Sequence, residues 1–289
     1  MQTRRIGSHE VSAIGLGEMP MSVPTRPDEA QSIRTIHAAL DAGVTLIDTA
    51  NAYCLNNDEF GHGERLVAKA LASYSGNRDA VLVATKGGAL RPGGRWEHDG
   101  RPEAIRAACE ASLGRLGVDT IGLWQHHRPD PKVDYADTLG AVRKLYDDGL
   151  IAMAGISNTD VDQIKLAQQI LGDALVSVQN QFSPAFRSSE DELAYCADQN
   201  LAFLPWSPLG GISKAGDLGS RFAPFQQVAR DCGVSPQRVA LAWSLAKAPV
   251  VIPIPGASRP ETILDSLGAL DLELDEAQMQ ALDATGASA

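Results

Sequence analysis

The chain has 289 residues, 44% hydrophobic and 21% charged, a balance that builds a core and excludes disordered and fibrous classes. Its 25 basic residues against 36 acidic ones leave a net charge of −11. That charge argues against nucleic acid or an anionic membrane surface as partner, yet leaves room for a small anionic cofactor held by a local cluster of donors.

The length suits one α/β barrel, which commonly needs about 250 residues, and 1–289 is read as a single domain. Cys54, Cys109, Cys196 and Cys232 form no CxxC pair, so neither a zinc site nor a redox couple is expected, and no metal. The opening MQTRRIGSHEV lacks an apolar signal core, and no stretch approaches the 18 or so apolar residues of a membrane span. A cytoplasmic protein is expected.

Gln2–Gly15 reads as a hairpin, with strands Arg4–Ile6 and Val11–Ile14 around Gly-Ser-His-Glu. A strand–helix rhythm follows. Ile33, Ile36 and Leu40 recur at helical spacing and stop at Gly43, before the apolar run Val44–Ile47. Next come strand Ala80–Thr85, helix Pro102–Leu116, strand Thr120–Trp124 and a helix marked by Leu139, Val142 and Leu145. Strands near Ile151–Ile156, Leu175–Val178, Leu201–Leu204 and Val250–Ile254 complete the series, each separated by a helical segment. With Ser12–Leu16 as the first strand there are eight. Runs such as Ala-Val-Leu-Val-Ala are apolar on both faces, as parallel strands covered by helices are. The expected fold is an α/β (β/α)8 TIM barrel with an N-terminal β-hairpin. A doubly wound dinucleotide sheet would want G-x-G-x-x-G, but Gly15-Leu-Gly17 is followed by Glu-Met-Pro.

Barrels carry their chemistry at the C-terminal ends of strands. Those ends are Asp48, Lys86, His126 or His127, Ser157-Asn158, Gln179-Asn180, Trp206-Ser207 and the loop Pro255–Arg259. Strand alternation puts Asp48 on the face of Leu46, and Lys86 on the face of Leu82 and Ala84. Pointing inward, the two charges meet at the mouth and make each other tolerable. Tyr53 follows five residues after Asp48, and a neighbouring Lys86 is expected to lower its phenol pKa. His126 and His127 point to opposite faces, so only one serves the site. His9, His37, His62 and His98 carry no spacing signal and read as surface or loop residues.

These segments resemble the aldo-keto reductase superfamily over nearly the whole chain. The resemblance rests on the N-terminal hairpin, DAGVTLIDTANAY (41–53), VATKGG (83–88), LWQHHRPDP (123–131), GISN (155–158), SVQNQFS (177–183), LPWSPLGG (204–211) and IPIPGASRPE (252–261). It implies the barrel fold, hydride transfer from NADPH to a small-molecule carbonyl substrate, and a catalytic tetrad of Asp48, Tyr53, Lys86 and His127. His127 is chosen because the family histidine directly precedes Arg/Trp-Pro. The resemblance also implies that Ser157, Asn158 and Gln179 bind the nicotinamide carboxamide and that Trp206 stacks on its ring. Ser207, Leu209 and Gly211 then begin a pyrophosphate-binding loop. Where many members have Lys-Ser and a later Arg, this chain has Gly256, Ala257 and Thr262. Ser258-Arg259 matches instead a bacterial, pyridoxal-reductase-like branch with Ile-Pro-Gly-Ala-Ser-Arg. Arg259 suits a 2′-phosphate, so NADPH is expected ahead of NADH.

The segments 56–62 and 90–101, bearing Phe60 and Trp96, are expected to wall the substrate pocket, with Met19, Met21 and Trp124 adding apolar surface. The expected substrate is an aromatic aldehyde, a pyridoxal-like ring or a sugar-derived ketone. Two other readings of the barrel are a class I aldolase with a Lys86 Schiff base and a catalytically slow NADPH-binding regulatory subunit. Oligomeric state stays open.

Overall fold

A computed structural model describes residues 1–285; the last four residues of the 1–289 domain assignment lie outside the described residues. The strands are β1 (Thr3–Ile6), β2 (His9–Ser12), β3 (Leu16–Gly17), β4 (Leu46–Asp48), β5 (Leu82–Gly87), β6 (Ala89–Leu90), β7 (Glu97–His98), β8 (Leu123–His126), β9 (Ala154–Ser157), β10 (Leu175–Gln179) and β11 (Ala202–Phe203). The helices are α1 (Glu29–Asp41), α2 (His62–Ser73), α3 (Pro102–Leu116), α4 (Tyr135–Asp147), α5 (Val161–Leu171), α6 (Glu190–Asp198), α7 (Leu218–Arg221), α8 (Ala223–Cys232), α9 (Pro236–Ala246), α10 (Pro260–Leu267) and α11 (Glu276–Asp283). No helix among them is long and apolar enough to cross a membrane.

Seven parallel strands lie in the order β11-β10-β9-β8-β5-β4-β3. The expected eighth strand, Val250–Ile254, is present as a closing segment but not as a regular strand. On one side Phe203 N–H donates to the Val250 carbonyl and Ile252 N–H to that of Phe203, both at 2.8 Å. On the other, the carbonyls of Pro253 and Pro255 accept from Gly15 N–H at 2.9 Å and Gly17 N–H at 3.0 Å. Prolines 253 and 255 have no N–H to return, so the ladder is one-sided there. A Cβ on Gly17 would lie 2.8 Å from the Ile254 carbonyl, so the glycine is what lets first and last strands meet. The Gly15-Leu-Gly17 run closes a barrel.

Strands β4, β5, β8 and β9 begin two to three residues later than the apolar runs suggest, because each of those runs includes the entering loop, whereas β10 begins at Leu175 as expected. The helix boundary at Pro102–Leu116 agrees with the sequence reading, since Pro102 starts it and Gly117, at φ 69°, ends it. Capping fixes others: the Asp160 side chain accepts from Gln163 N–H at 2.8 Å while the Gln163 side chain accepts from Asp160 N–H at 3.1 Å.

The interior holds Leu46, Leu82, Ala84, Leu123, Met153, Val176, Ala202, Leu204, Ile252 and Ile254, with Ile6 and Val11 of the β1–β2 hairpin packed against them. The hairpin plugs the barrel floor. A larger apolar layer, including Ile36, Val67, Ile105, Leu139, Ile164 and Trp243, fills the space between strands and helices. With the floor sealed, the polar strand ends gather at the opposite rim.

Candidate active site

β4 and β5 run side by side in parallel, pairing Asp48 with Ala84. Their alternation sends the carboxylate of Asp48 and the amine of Lys86 inward, as expected. The Lys86 ammonium donates to Asp48 Oδ1 at 2.5 Å, to the Thr49 carbonyl at 2.9 Å and to Tyr53 Oη at 3.1 Å. All three of its hydrogens are engaged. An ammonium only donates, so the phenolic oxygen accepts here and its own hydrogen points elsewhere. Asp48 Oδ2 accepts from Gln125 Nε2 at 3.1 Å and Gln179 Nε2 at 2.8 Å. Asp48, Lys86, Gln125 and Gln179 are all buried, so this is a satisfied polar network in a dry site.

Burial opposes the charge of Lys86, but Asp48 and Tyr53 outweigh it and hold the amine above its usual pKa. For Tyr53 the expected pull of Lys86 is present but outweighed. Burial pushes the phenol up to about 12; Lys86 pulls it down, but Asp48 and Glu18 push the same way as burial. The phenol is a held acid, fully protonated at neutral pH.

His127 faces the same space. Its ring centre lies 5.9 Å from that of Tyr53 and 5.7 Å from that of Trp96, and all three meet edge to face. Burial, then the nearby Lys86, keeps its imidazole well below the usual pKa and hence neutral. His126 points the other way, 5.5 Å from Tyr135, with neither nitrogen hydrogen-bonded. Burial pushes it down to about 3.

A cavity of about 830 Å³ opens here. Among its lining residues are Met19, Asp48, Tyr53, Trp96, His127, Ser157, Asn158, Gln179, Trp206, Ser207, Leu209, Gly211, Ser258 and Arg259. The structure thus brings together the sequence-predicted site residues except Lys86, which lies just beneath the surface of the cavity, and the expected wall residues Trp124, Met21 and Phe60. Trp124 is corrected: it sits between inward-facing Leu123 and Gln125, is fully buried, and packs in the outer apolar layer. A Cβ on Gly87 would lie 2.4 Å from its ring. Met21 is also buried away from the cavity, and Phe60 stands under Arg115 with 5.5 Å from guanidinium to ring centre.

Two non-glycine residues that line the cavity, Asn158 at φ 58° and Ser207 at φ 49°, adopt left-handed backbone. Such strain collects at functional sites. Asn158 is fully engaged: Oδ1 accepts from Arg128 Nη2 at 2.8 Å and Trp206 Nε1 at 3.2 Å, and Nδ2 donates to the His127 carbonyl and Ser157 Oγ, each at 2.9 Å. In this arrangement it acts as a joint that fixes Arg128 and Trp206. Gln179 differs. Its amide nitrogen is engaged by Asp48 and Gln125, at 2.8 and 3.2 Å, which leaves Oε1 as an acceptor on the cavity side.

Sequence reasoning missed several lining residues. His98, read as a surface or loop residue, reaches the cavity because the β6–β7 hairpin folds back over the rim; two-residue strands give no periodicity. Arg128, Gln237, Glu261, Thr262 and Asp265 also line it. For the α10 residues a signal existed: Arg259-Pro-Glu marks a helix start, so the first turn of α10 had to follow Ser258 and Arg259 into the same space. Gln125 was hidden by its reading as part of a strand interior.

Comparison with known proteins gives the family. Residues 13–287 match the sequence model described as the Aldo/keto reductase family. An uncharacterized oxidoreductase of Schizosaccharomyces pombe is 34% identical over 293 residues, covering 99% of this chain and 90% of its own. A 6-dehydroglucose reductase of Novosphingobium aromaticivorans is 33% identical over 250 residues, covering 83% and 81%. An aldo-keto reductase of Klebsiella pneumoniae crystallised with NADPH superposes with a TM-score of 0.81 at 27% identity, covering 99% of this chain and 95% of that one. Matched over nearly its full length, the closed barrel belongs to the aldo/keto reductase family.

Proposed function

We propose that this chain, as one barrel domain acting in the cytoplasm, reduces an aldehyde or ketone to the alcohol with NADPH, and that Tyr53 is the general acid. The observation that carries this reading is the three-way donation of Lys86 to Asp48, Thr49 and Tyr53. It leaves the phenolic hydrogen free while the amine stays charged beside the oxygen that will become negative.

A nicotinamide cofactor fits the residues present. Gln179 Oε1 and a remaining lone pair of Ser157 Oγ are acceptors suited to a carboxamide, and Trp206 offers an aromatic face. Ser258, Arg259 and Thr262 stand where α10 begins, a favourable place for a phosphate. Asn158 joins a carboxamide contact by releasing Arg128 or Trp206. The NADPH complex of the Klebsiella relative supports this cofactor over NADH.

The bound cofactor supplies a hydride. Tyr53 gives its proton to the developing alkoxide, Lys86 stabilises the phenolate left behind, and Asp48 keeps Lys86 charged and in place. Neutral His127 orients the carbonyl oxygen by donating a hydrogen bond. Trp96, Met19 and His98 wall the substrate space. A medium-sized carbonyl fits, such as an aromatic aldehyde, a pyridoxal-like ring or a sugar-derived ketone; the sugar-derived substrate named for the Novosphingobium relative supports the last.

A Schiff-base aldolase needs a neutral amine, whereas Lys86 is held charged with all its hydrogens engaged. A regulatory subunit has no need of the complete set of acid, amine and carboxylate. Fluorescence titration with NADPH and NADH, followed by cofactor consumption over a panel of aldehydes and ketones, tests the proposal. Tight NADPH binding with turnover of some member is expected; no binding of either nucleotide overturns it.

A further inference from the structure

Glu18 directly follows β3, and it is wholly buried. Its N–H donates to the Asp48 carbonyl at 2.9 Å. Its Oε2 accepts from Thr49 Oγ1 at 3.0 Å, and the carbonyl of that same threonine receives Lys86 Nζ at 2.9 Å. Its Oε1 accepts from Ser22 Oγ, which lies 2.8 Å from His62 Nδ1. His62 opens α2 and is half-buried. A hydrogen-bonded chain therefore runs from His62 near the surface through Ser22 to a carboxyl group at the edge of the lysine centre.

The site is shaped for that carboxyl. A Cβ on residue 63 would lie 2.4 Å from Glu18 Oε2 and 2.6 Å from Thr49 Oγ1, so Gly63 leaves the room. Lys86, the cation that pulls on Glu18, is paired to Asp48. The ionisable groups around Glu18 are Asp48 on β4, Tyr53 in the loop after it, Lys86 on β5 and His62 on α2; Arg26, Glu59, Arg65 and Glu29 act on His62 in turn. Burial pushes Glu18 up to about 7, while Ser22, Thr49 and Lys86 pull it down and Asp48 pushes it up.

We propose that Glu18 is a positioning residue of this site: it takes up a proton relayed from His62 through Ser22, and its charge governs how readily Tyr53 gives up its own. In the relay water protonates His62 at Nε2, the Ser22 hydroxyl passes its proton to Glu18 Oε1 and takes one from His62 Nδ1, and the imidazole ends neutral. Neutral Glu18 removes a negative charge from the neighbourhood of the phenol, so proton donation is eased; ionised Glu18 holds the phenolic proton back. The proposal rests on Tyr53 being the acid of the reductase reading.

The test has two arms. Infrared titration of the NADPH-bound protein should show a buried carboxylic acid that ionises in the neutral range and is absent from E18Q. In steady-state reduction at saturating aldehyde, wild-type kcat should fall about three- to tenfold from about pH 5 to pH 9, while E18Q stays flat. G63A, which crowds the carboxylate but retains it, should move the midpoint, and G63A/E18Q should again be flat. A carboxylate ionised throughout, or an unchanged decline in E18Q, overturns the proposal. Should E18Q fail to fold, G63A decides: it should shift the infrared midpoint and the kcat midpoint together, and a shift of neither overturns the proposal. A wild type inactive on every carbonyl overturns the reductase reading and the rate half of this one, while the carboxyl band still reports proton uptake.

Discussion

The guanidinium of Arg91 lies 4.2 Å from the ring centre of Trp96, on a side chain that is otherwise buried. Trp96 is 43% exposed, yet its ring meets both Tyr53 and His127 at the Lys86 end of the cavity. A half-exposed tryptophan on a loop needs something to hold it, and the cation–π contact supplies about 1 kcal/mol. Arg91→Met should therefore raise KM for the carbonyl about fivefold, with NADPH affinity unchanged, as read by steady-state kinetics and fluorescence titration. An equal change in both affinities would show a wider disturbance.

Tyr53→Phe keeps the ring and removes the acid. Turnover should drop by about 10²- to 10⁴-fold while NADPH binding stays within about twofold. Single-turnover measurements with preloaded cofactor check this, and a variant reducing aldehydes at the parent rate would refute the assignment.

Lys86→Met leaves the Asp48 carboxylate buried with only amide donors. The expected loss of stability is about 3–5 kcal/mol. Adding Asp48→Asn removes the stranded charge and should recover a good part of that loss, so urea denaturation of the two single variants and the double variant should show strong coupling. Simple additivity would mean that the pair is not a unit.

His126 has both ring nitrogens buried without partners, an arrangement costing about 1–3 kcal/mol. In the native state burial pushes it down to about 3, from 6.5 in the unfolded chain. Between those values the unfolded chain binds the extra proton, so stability falls as pH drops below about 6.5. His126→Leu should stabilise the protein at pH 8 by about 1–2 kcal/mol and by more at pH 5, measured by urea unfolding at both. A loss at both pH values would reveal a hidden partner for the ring.

Arg259 is exposed at the cavity rim, just before α10. If it reads a 2′-phosphate, Arg259→Ala should weaken NADPH about 10- to 100-fold and NADH hardly at all, and added salt should weaken NADPH more than NADH. Equal losses for both nucleotides would move the specificity elsewhere.

What the sequence determined by itself was the arrangement that depends on alternation. Asp48 shares a face with Leu46, and Lys86 with Leu82 and Ala84; parallel strands in register then leave both charges at one rim. The same rule sends His126 and Trp124 outward. Trp124 was misplaced because it was judged by its apolar ring rather than by its neighbours Leu123 and Gln125.

The tertiary structure alone decided matters that turn on burial and on contacts between distant segments. Whether the Tyr53 pKa ends below or above its ordinary value depends on how much water the closed barrel excludes, and exclusion outweighs the pull of Lys86. Glu18 meets Thr49 and Ser22 meets His62 only because β3 and α2 pack at the same rim, with Gly63 leaving space between. His98 arrives through a hairpin too short to show a period. Alternation is a local property of the chain, written in every second residue, whereas desolvation and the partners of a buried group exist only once the barrel has closed.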